Sequence, residues 1–173
     1  MLLGYQRLSQ TFLGAVLCVD LVYLACWMCW SILLVDDSER WRDALSEVIR
    51  GEPHLRVIAT ASDGEEGVSK AEEYQPSLVL LDIQMPRLNG IRAAEKILQV
   101  SPKSAIIFVT QNSSPALLEA ALQTGALGYV LKTTVASELT HAIETVMSGR
   151  RFVSASLLEV SREQIRVTDM RDL

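Results

Sequence analysis

The chain has 173 residues and a formal net charge of -5, from 16 basic and 21 acidic side chains. Hydrophobic residues make up 49% and charged residues 21%, which suits one domain with a packed core and argues against bulk disorder. The acidic balance argues against a nucleic-acid-binding surface, and 2 His and 3 Cys are too few for a disulfide framework or a zinc module.

Residues 1–30 differ in composition from the rest of the chain. They contain one basic residue, Arg7, and one acidic residue, Asp20, so the net negative charge belongs to residues 31–173. The apolar run from 12 to 35 is long enough to cross a bilayer as a helix. Asp20 would then lie near the middle of the bilayer, which is costly without a partner.

Three interpretations of this segment stay open. It is a membrane anchor, a start-site artefact with the true start near Ser31, or a signal peptide. The run continues into the first predicted strand without a polar linker, which points to the artefact. No small-x-small cleavage site follows the run, and export would separate the domain from its partners. We therefore divide the chain into 1–30, a domain at 31–150 and a tail at 151–173, and expect a cytoplasmic domain, with tethering to the inner face of the membrane as an alternative.

Short apolar runs alternate with helical periodicity after Ser31. Strands are predicted at 32–35, 55–61, 78–81, 105–109 and 127–131. Helices are predicted at 38–49, 65–74, 91–100, 115–124 and 135–147. Strands that are apolar throughout are buried on both faces, so the pattern predicts an α/β fold with a parallel sheet covered by helices.

Polar residues end four of the five predicted strands. The first ends in Asp36 and Asp37, the third in Asp82, the fourth in Thr110 and the fifth in Lys132. Right-handed crossovers place these ends on one edge of the sheet, where open α/β sheets bind ligands. Three carboxylates need a cation such as Mg²⁺, and a hydroxyl and an ammonium suit phosphoryl oxygens. The set predicts a site that transfers phosphate to an Asp.

Each residue also has a structural interpretation. Asp36 or Asp37 alone is usually a helix N-cap, and Asp82 alone is consistent with the start of a turn. Thr110 would cap the next helix and Lys132 would be solvated. Only their joint occurrence at four strand ends favours the phosphorylation site.

Residues 32–149 resemble the receiver domain of two-component response regulators. The matching stretches, in order, are ILLVDD, SDGEEG, LVLLDIQMPRLNG, FVT and GYVLK. The resemblance implies a flavodoxin-like, doubly wound, five-stranded parallel sheet of order 2-1-3-4-5 with five helices. It also implies a switch rather than a metabolic enzyme, with self-catalysed phosphorylation and dephosphorylation as its only chemistry.

The resemblance assigns roles in phosphoryl transfer. Asp82 corresponds to the phosphoacceptor and Lys132 to the residue that pairs with the phosphoryl group. Thr110 corresponds to the hydroxyl that binds this group and reports its presence. Tyr129 corresponds to the aromatic switch that turns inward when Thr110 moves. The phosphoryl donor would be a sensor histidine kinase or a phosphotransfer protein.

The resemblance also implies a Mg²⁺ site. Asp37 would bind the ion directly and Asp36 through water, while Asp82 and the backbone carbonyl of Gln84 would supply further oxygens. Two positions depart from the family. Gln111 follows Thr110, where a small residue is common, and Thr133 follows Lys132, where many relatives have Pro.

Residues 149–158 resemble the segment that precedes a helix-turn-helix domain in related receivers. Only 23 residues follow Arg150, too few for such a domain, so we expect no direct contact with nucleic acid. Residues 157–167 are predicted as one short helix, with a frayed terminus as the alternative. Output would pass through the face near Tyr129 and the last helix to an unknown protein partner or a second copy in a homodimer.

Two other functions stay open. A phosphate-independent interaction module of the same fold is favoured by the bulky Gln111. A DNA-binding regulator requires that the chain be a fragment. An aspartyl-phosphate phosphatase is disfavoured because Gln84 stands where a second acid is needed.

Overall fold

The structure, a computed structural model, describes residues 29–157. In this part of the chain strands and helices alternate. The strands are β1 (Trp30–Val35), β2 (Leu55–Ala61), β3 (Leu78–Leu81), β4 (Ala105–Thr110), β5 (Gly128–Leu131) and β6 (Phe152–Val153). The helices are α1 (Glu39–Arg50), α2 (Gly64–Tyr74), α3 (Gly90–Val100), α4 (Pro115–Gln123) and α5 (Val135–Met147).

All strands are parallel and lie in the order β2-β1-β3-β4-β5-β6. Every residue of β3 and β5 is buried, as expected for strands covered on both faces. Alternate strand residues feed two cores. One core contains Leu33 and Leu81 and packs on α2, α3 and α4, and the other contains Leu34 and Leu80 and packs on α1 and α5. The predicted order 2-1-3-4-5 is confirmed, and the predicted boundaries agree with the observed ones to within two residues.

The sixth strand was not predicted. Residues after α5 return to the open edge of β5, where the Phe152 N–H donates to the Leu127 carbonyl and the Ser154 N–H to the Tyr129 carbonyl, both at 2.9 Å. Leu157 is 1% exposed and belongs to the core that contains Phe108. A two-residue strand is too short to show the alternation by which strands are recognised, so the sequence pattern could not reveal it.

Two predictions lie outside the described residues. The apolar segment 1–30 does so except for its last two residues, and the tail helix at 157–167 does so except for Leu157. Between residues 29 and 157, no helix combines the length and apolarity that a bilayer crossing requires.

Candidate functional site

Backbone hydrogen bonds align the residues that follow the central strands. The Asp82 N–H donates to the Val35 carbonyl at 2.8 Å, which sets Asp82 beside the end of β1. The Lys132 N–H donates to the Thr110 carbonyl at 2.8 Å, which joins the ends of β4 and β5. The polar strand ends are therefore placed by the parallel ladder itself.

Three carboxylates meet at this edge of the sheet. One oxygen from each of Asp36, Asp37 and Asp82 lies within 4.8 Å of the other two. Asp36 and Asp82 are 1% and 5% exposed, whereas Asp37 is exposed to solvent. Asp36 Oδ1 accepts a hydrogen bond from the Ser38 N–H at 2.9 Å, and Asp82 Oδ1 accepts one from the Ile83 N–H at 2.8 Å. Each buried acid is thus oriented by a neighbouring backbone amide.

The ammonium of Lys132 lies between the two buried acids. Its Nζ is 2.7 Å from Asp36 Oδ2 and 3.1 Å from Asp82 Oδ2. The peptide bond between Lys132 and Thr133 is trans, and the side chain reaches both acids in this geometry. Burial raises the pKa of the Asp82 carboxyl, Lys132 opposes that rise, and Asp36 adds to it. The net rise shows that desolvation outweighs the single cation.

The acid cluster fits a hard divalent cation. Asp36 Oδ2 is buried and accepts no hydrogen bond among the described residues. Its contact with Lys132 is an ion pair without hydrogen-bond geometry. A buried carboxylate oxygen without a hydrogen bond is costly unless a cation satisfies it. Three carboxylates beside one ammonium leave an excess of negative charge, and an all-oxygen donor set is the one that Mg²⁺ prefers.

A cavity of about 260 Å³ opens beside these groups. Its lining residues are Asp37, Ser38, Trp41, Asp82, Gln84, Gln111 and Lys132. The structure therefore brings Gln84 to the same cavity as Asp82, together with Gln111, the residue that differs from the family pattern. Sequence reasoning missed Trp41 as a site residue, because its helical spacing was explained by packing.

Thr110 and Tyr129 are completely buried. Thr110 Oγ1 accepts a hydrogen bond from the Asn112 N–H at 3.3 Å, and the Tyr129 hydroxyl donates to the Asn112 carbonyl at 2.8 Å. Burial raises the pKa of the Tyr129 hydroxyl to about 12, and the charge of Asp82 contributes to the rise. The two predicted switch residues are therefore joined through one loop residue, Asn112, which no sequence pattern singles out.

A second missed contact fixes the loop that follows β3. Asp63 is 2% exposed and caps α2 by accepting hydrogen bonds from the Glu65 and Glu66 N–H groups at 2.8 and 3.0 Å. It also forms an ion pair with Arg87, which has a positive φ of 63°. The sequence predicted only a turn at Asp63, although an Asp before a helix start is also the signature of an N-cap.

Comparison with known proteins decides the family. A profile of the response regulator receiver domain matches residues 32–144, well over half of the chain. The chain belongs to this family. It is a receiver domain of the two-component systems, with the flavodoxin-like fold that the resemblance implied. Receiver domains generally bind Mg²⁺ at an acidic pocket and interact with histidine kinases or phosphotransfer proteins.

Two solved receiver structures share this fold. A two-component response regulator of the LuxR family from Aurantimonas sp. SI85-9A1 is 31% identical, with a TM-score of 0.75 over 79% of this chain and 99% of that one. The response regulator domain of Thermotoga maritima CheB is 33% identical, with a TM-score of 0.65 over 69% of this chain and 97% of that one.

Curated relatives are longer than this receiver. The nitrate/nitrite response regulator protein NarL of Escherichia coli is 32% identical over 83% of this chain and 68% of its own length. The transcriptional regulatory protein LnrK of Bacillus subtilis is 37% identical over 68% of this chain and 54% of its own length. The receiver spans about half the length of LnrK and of DegU from Brevibacillus brevis.

Proposed function

We propose that this receiver accepts a phosphoryl group on Asp82 from a phosphohistidine of a sensor histidine kinase or a phosphotransfer protein. The observation that supports this most is the placement of the Asp82 carboxylate, which borders the cavity with Lys132 Nζ 3.1 Å from its Oδ2. A carboxylate oxygen of Asp82 forms the new bond to phosphorus. The P–N bond of the donor breaks, and its electron pair returns to the imidazole, which takes up a proton.

Burial prepares Asp82 for this attack. Desolvation raises the pKa of the Asp82 carboxyl, and the charge of Lys132 opposes that rise, so the carboxylate meets the donor with little hydration and beside a cation. The phosphoryl group adds a charge of about -1.5 to -2 at neutral pH. Lys132 supplies a cation at the place where this charge develops, and it is held there without full hydration because only 7% of it is exposed.

Asp36, Asp37 and Asp82, with the backbone carbonyl of Gln84, would hold the Mg²⁺ of this site. When bound, the ion neutralises the acids and the phosphoryl oxygens. The same groups support hydrolysis, in which water attacks phosphorus, the P–O bond to Asp82 breaks, and inorganic phosphate leaves as the Asp82 carboxylate is restored. The receiver thus catalyses its own phosphorylation and dephosphorylation and acts as a switch.

The switch would pass through Thr110 and Tyr129. If Thr110 Oγ1 turns to the phosphoryl group, it gives up its bond from Asn112, and Asn112 in turn holds the Tyr129 hydroxyl. The expected output is a changed face at β5 and α5 that a protein partner or a second copy reads. A cytoplasmic location follows from a kinase donor, and tethering through residues 1–30 is the alternative.

The test is phosphorylation by acetyl phosphate with Mg²⁺, followed by intact mass spectrometry. We expect one acid-stable adduct with the mass of one phosphoryl group, dependent on Mg²⁺ and absent from Asp82→Asn. Asp43→Asn, at an exposed acid of α1, is the matched control and should be labelled like the wild type. An adduct that persists in Asp82→Asn would refute the assignment.

Gln111 supports a second candidate. Gln111 borders the cavity beside Asp82, and a bulky amide at this place would hinder an approaching donor. A phosphate-independent interaction module would bind its partner equally well with and without acetyl phosphate. The whole protein is a separate question, and since LnrK is a transcriptional regulatory protein, control of transcription is a candidate for a longer form of this chain.

A further inference from the structure

Trp41 is a cavity residue that the proposed chemistry does not use. It lies in the first turn of α1, is partly buried and borders the cavity with Asp82 and Lys132. The centre of its ring is 5.2 Å from Lys132 Nζ. A cation within about 6 Å of the centre of an indole ring is attracted by the electron density of the ring face.

The start of α1 holds Trp41 in this place. The Trp41 N–H donates to the Ser38 carbonyl at 3.0 Å, and Arg42 Nη1 donates to the Asp36 carbonyl at 2.7 Å. Further along the helix, Leu45 is 1% exposed and anchors α1 to the sheet. The ring is therefore tied to the loop that also carries the acids.

The Lys132 ammonium thus contacts two anions and one neutral ring. When Asp82 is phosphorylated, the ammonium must pair with phosphoryl oxygens while the charge at Asp82 changes. The carboxylates compete with the phosphoryl group for the ammonium, but the ring does not, because it carries no net charge. An aromatic ring is thus suited to keep a flexible ammonium in place through this exchange of partners.

We propose that Trp41 is a positioning residue that holds the Lys132 ammonium by a cation–π contact where the phosphoryl oxygens arrive. This inference rests on the proposed function at Asp82. It assigns to α1 a part in the rate of phosphoryl transfer.

The first experiment compares Trp41→Leu, which keeps an apolar side chain without a ring, with Trp41→Phe, which keeps a smaller ring. We expect Trp41→Leu to lower the maximal rate of phosphorylation by acetyl phosphate about fivefold to tenfold, with little change in the half-saturating donor concentration. Trp41→Phe should fall between Trp41→Leu and the wild type. A loss of general packing would instead lower the thermal midpoint of both variants without this order of rates.

Trp30→Leu is the matched control. Trp30 opens β1, about 20 Å along the strand from the acids, and its ring contacts His54. The phosphorylation rate of Trp30→Leu should equal that of the wild type. If the wild type is phosphorylated and Trp41→Leu is phosphorylated at the same rate, the role of Trp41 is overturned and the proposed function stands. A wild type without an adduct would overturn the proposed function.

A second readout needs no phosphoryl donor. Lys132→Met should change the tryptophan fluorescence emission of the protein. The same substitution in the Trp41→Phe background, where only the other tryptophans emit, should cause no change, which assigns the effect to Trp41. Lys132→Arg retains a cation for the ring and should keep emission close to that of the wild type. Emission that is the same with Met, Arg and Lys at position 132 would overturn the contact itself.

Discussion

The hydroxyl of Tyr129 donates a hydrogen bond to the backbone carbonyl of Asn112 at 2.8 Å. The N–H of the same Asn112 donates to Thr110 Oγ1 at 3.3 Å, so one peptide segment contacts both buried switch candidates. Tyr129 is buried against Phe108, with ring centres 6.5 Å apart. Movement of the Thr110 side chain therefore acts on the loop that holds the aromatic residue in place.

Tyr129→Phe tests this connection. The ring keeps its packing, but the Asn112 carbonyl loses its donor, which should cost about 1–2 kcal/mol in the free energy of unfolding by urea. Hydrogen exchange in residues 111–114 should become faster. Tyr74→Phe is the control, because Tyr74 is 46% exposed and should leave both measurements unchanged. An unchanged exchange rate in Tyr129→Phe would show that the loop is held by other contacts.

Lys132→Met should lower stability more than any surface substitution. It leaves Asp36 and Asp82 buried without their cation, and removal of one partner of a buried ion pair typically costs about 3–5 kcal/mol. Mg²⁺ should raise the free energy of unfolding of Lys132→Met more than that of the wild type, since the ion replaces the missing positive charge. Urea unfolding with and without Mg²⁺ measures both effects, with exposed Lys103→Met as the control.

The pH dependence of stability should show the cost of ionising Asp82. Burial raises its pKa in the folded state above the usual value of 3.8, so the folded state binds this proton more tightly than the unfolded state. The stabilisation is present at low pH and is lost as the pH rises through the folded-state pKa. Asp82→Asn, which mimics the protonated acid, should therefore be more stable than the wild type at neutral pH without Mg²⁺. Its advantage should disappear near pH 3.8, and an advantage that grows toward acid would contradict the prediction.

Much of this architecture was predictable because it depends on patterns that are local in sequence. The apolar strand at Leu78–Leu81 is buried at every position, and its polar successor Asp82 reaches the sheet edge by the parallel ladder alone. The meeting of Asp36, Asp37, Asp82 and Lys132 therefore followed from strand ends and a crossover rule.

Contacts made by single loop residues could not be predicted in this way. Asn112 bridges the switch candidates through its backbone N–H and carbonyl, which every residue type except proline supplies. Trp41 has the helical spacing of a core residue. Only its distance to Lys132 in the structure distinguishes a contact with the ammonium from core packing. Arg87 reaches Asp63 across 24 positions of sequence, which no periodicity records.

Gly90→Ala should damage the site through the backbone. A Cβ at this position would lie 2.0 Å from the Asp82 carbonyl oxygen and 2.7 Å from Ile83 Cα, so the segment at Asp82 and Ile83 would have to move. We expect a loss of at least about 2 kcal/mol in stability and a lower rate of phosphorylation. Gly51→Ala is the control, since its Cβ would meet only the Val48 carbonyl oxygen at 3.4 Å. Wild-type rates in Gly90→Ala would show that the segment tolerates displacement.

Ser154→Ala should loosen β6 from the sheet. Ser154 is completely buried, and its Oγ accepts a hydrogen bond from the Leu131 N–H at 3.0 Å and donates to Glu138 Oε2. The substitution leaves the buried Leu131 N–H without a partner, at a cost of about 1–3 kcal/mol in urea unfolding. Ser69→Ala, at an exposed serine of α2, should change stability little.

The cost of Ser154→Ala should also depend on pH through Glu138. Burial raises the pKa of Glu138. The hydrogen bonds from Ser154 and Thr134 lower this pKa, and together the hydrogen bonds to Glu138 outweigh burial, so its pKa lies below the usual 4.5. A depressed folded-state pKa gives stability that is present above 4.5 and lost as the pH falls through the lower value. The difference between wild type and Ser154→Ala should therefore narrow in acid, because a protonated Glu138 gains less from the serine hydroxyl. A constant difference across this range would mean that the Leu131 amide alone accounts for the cost.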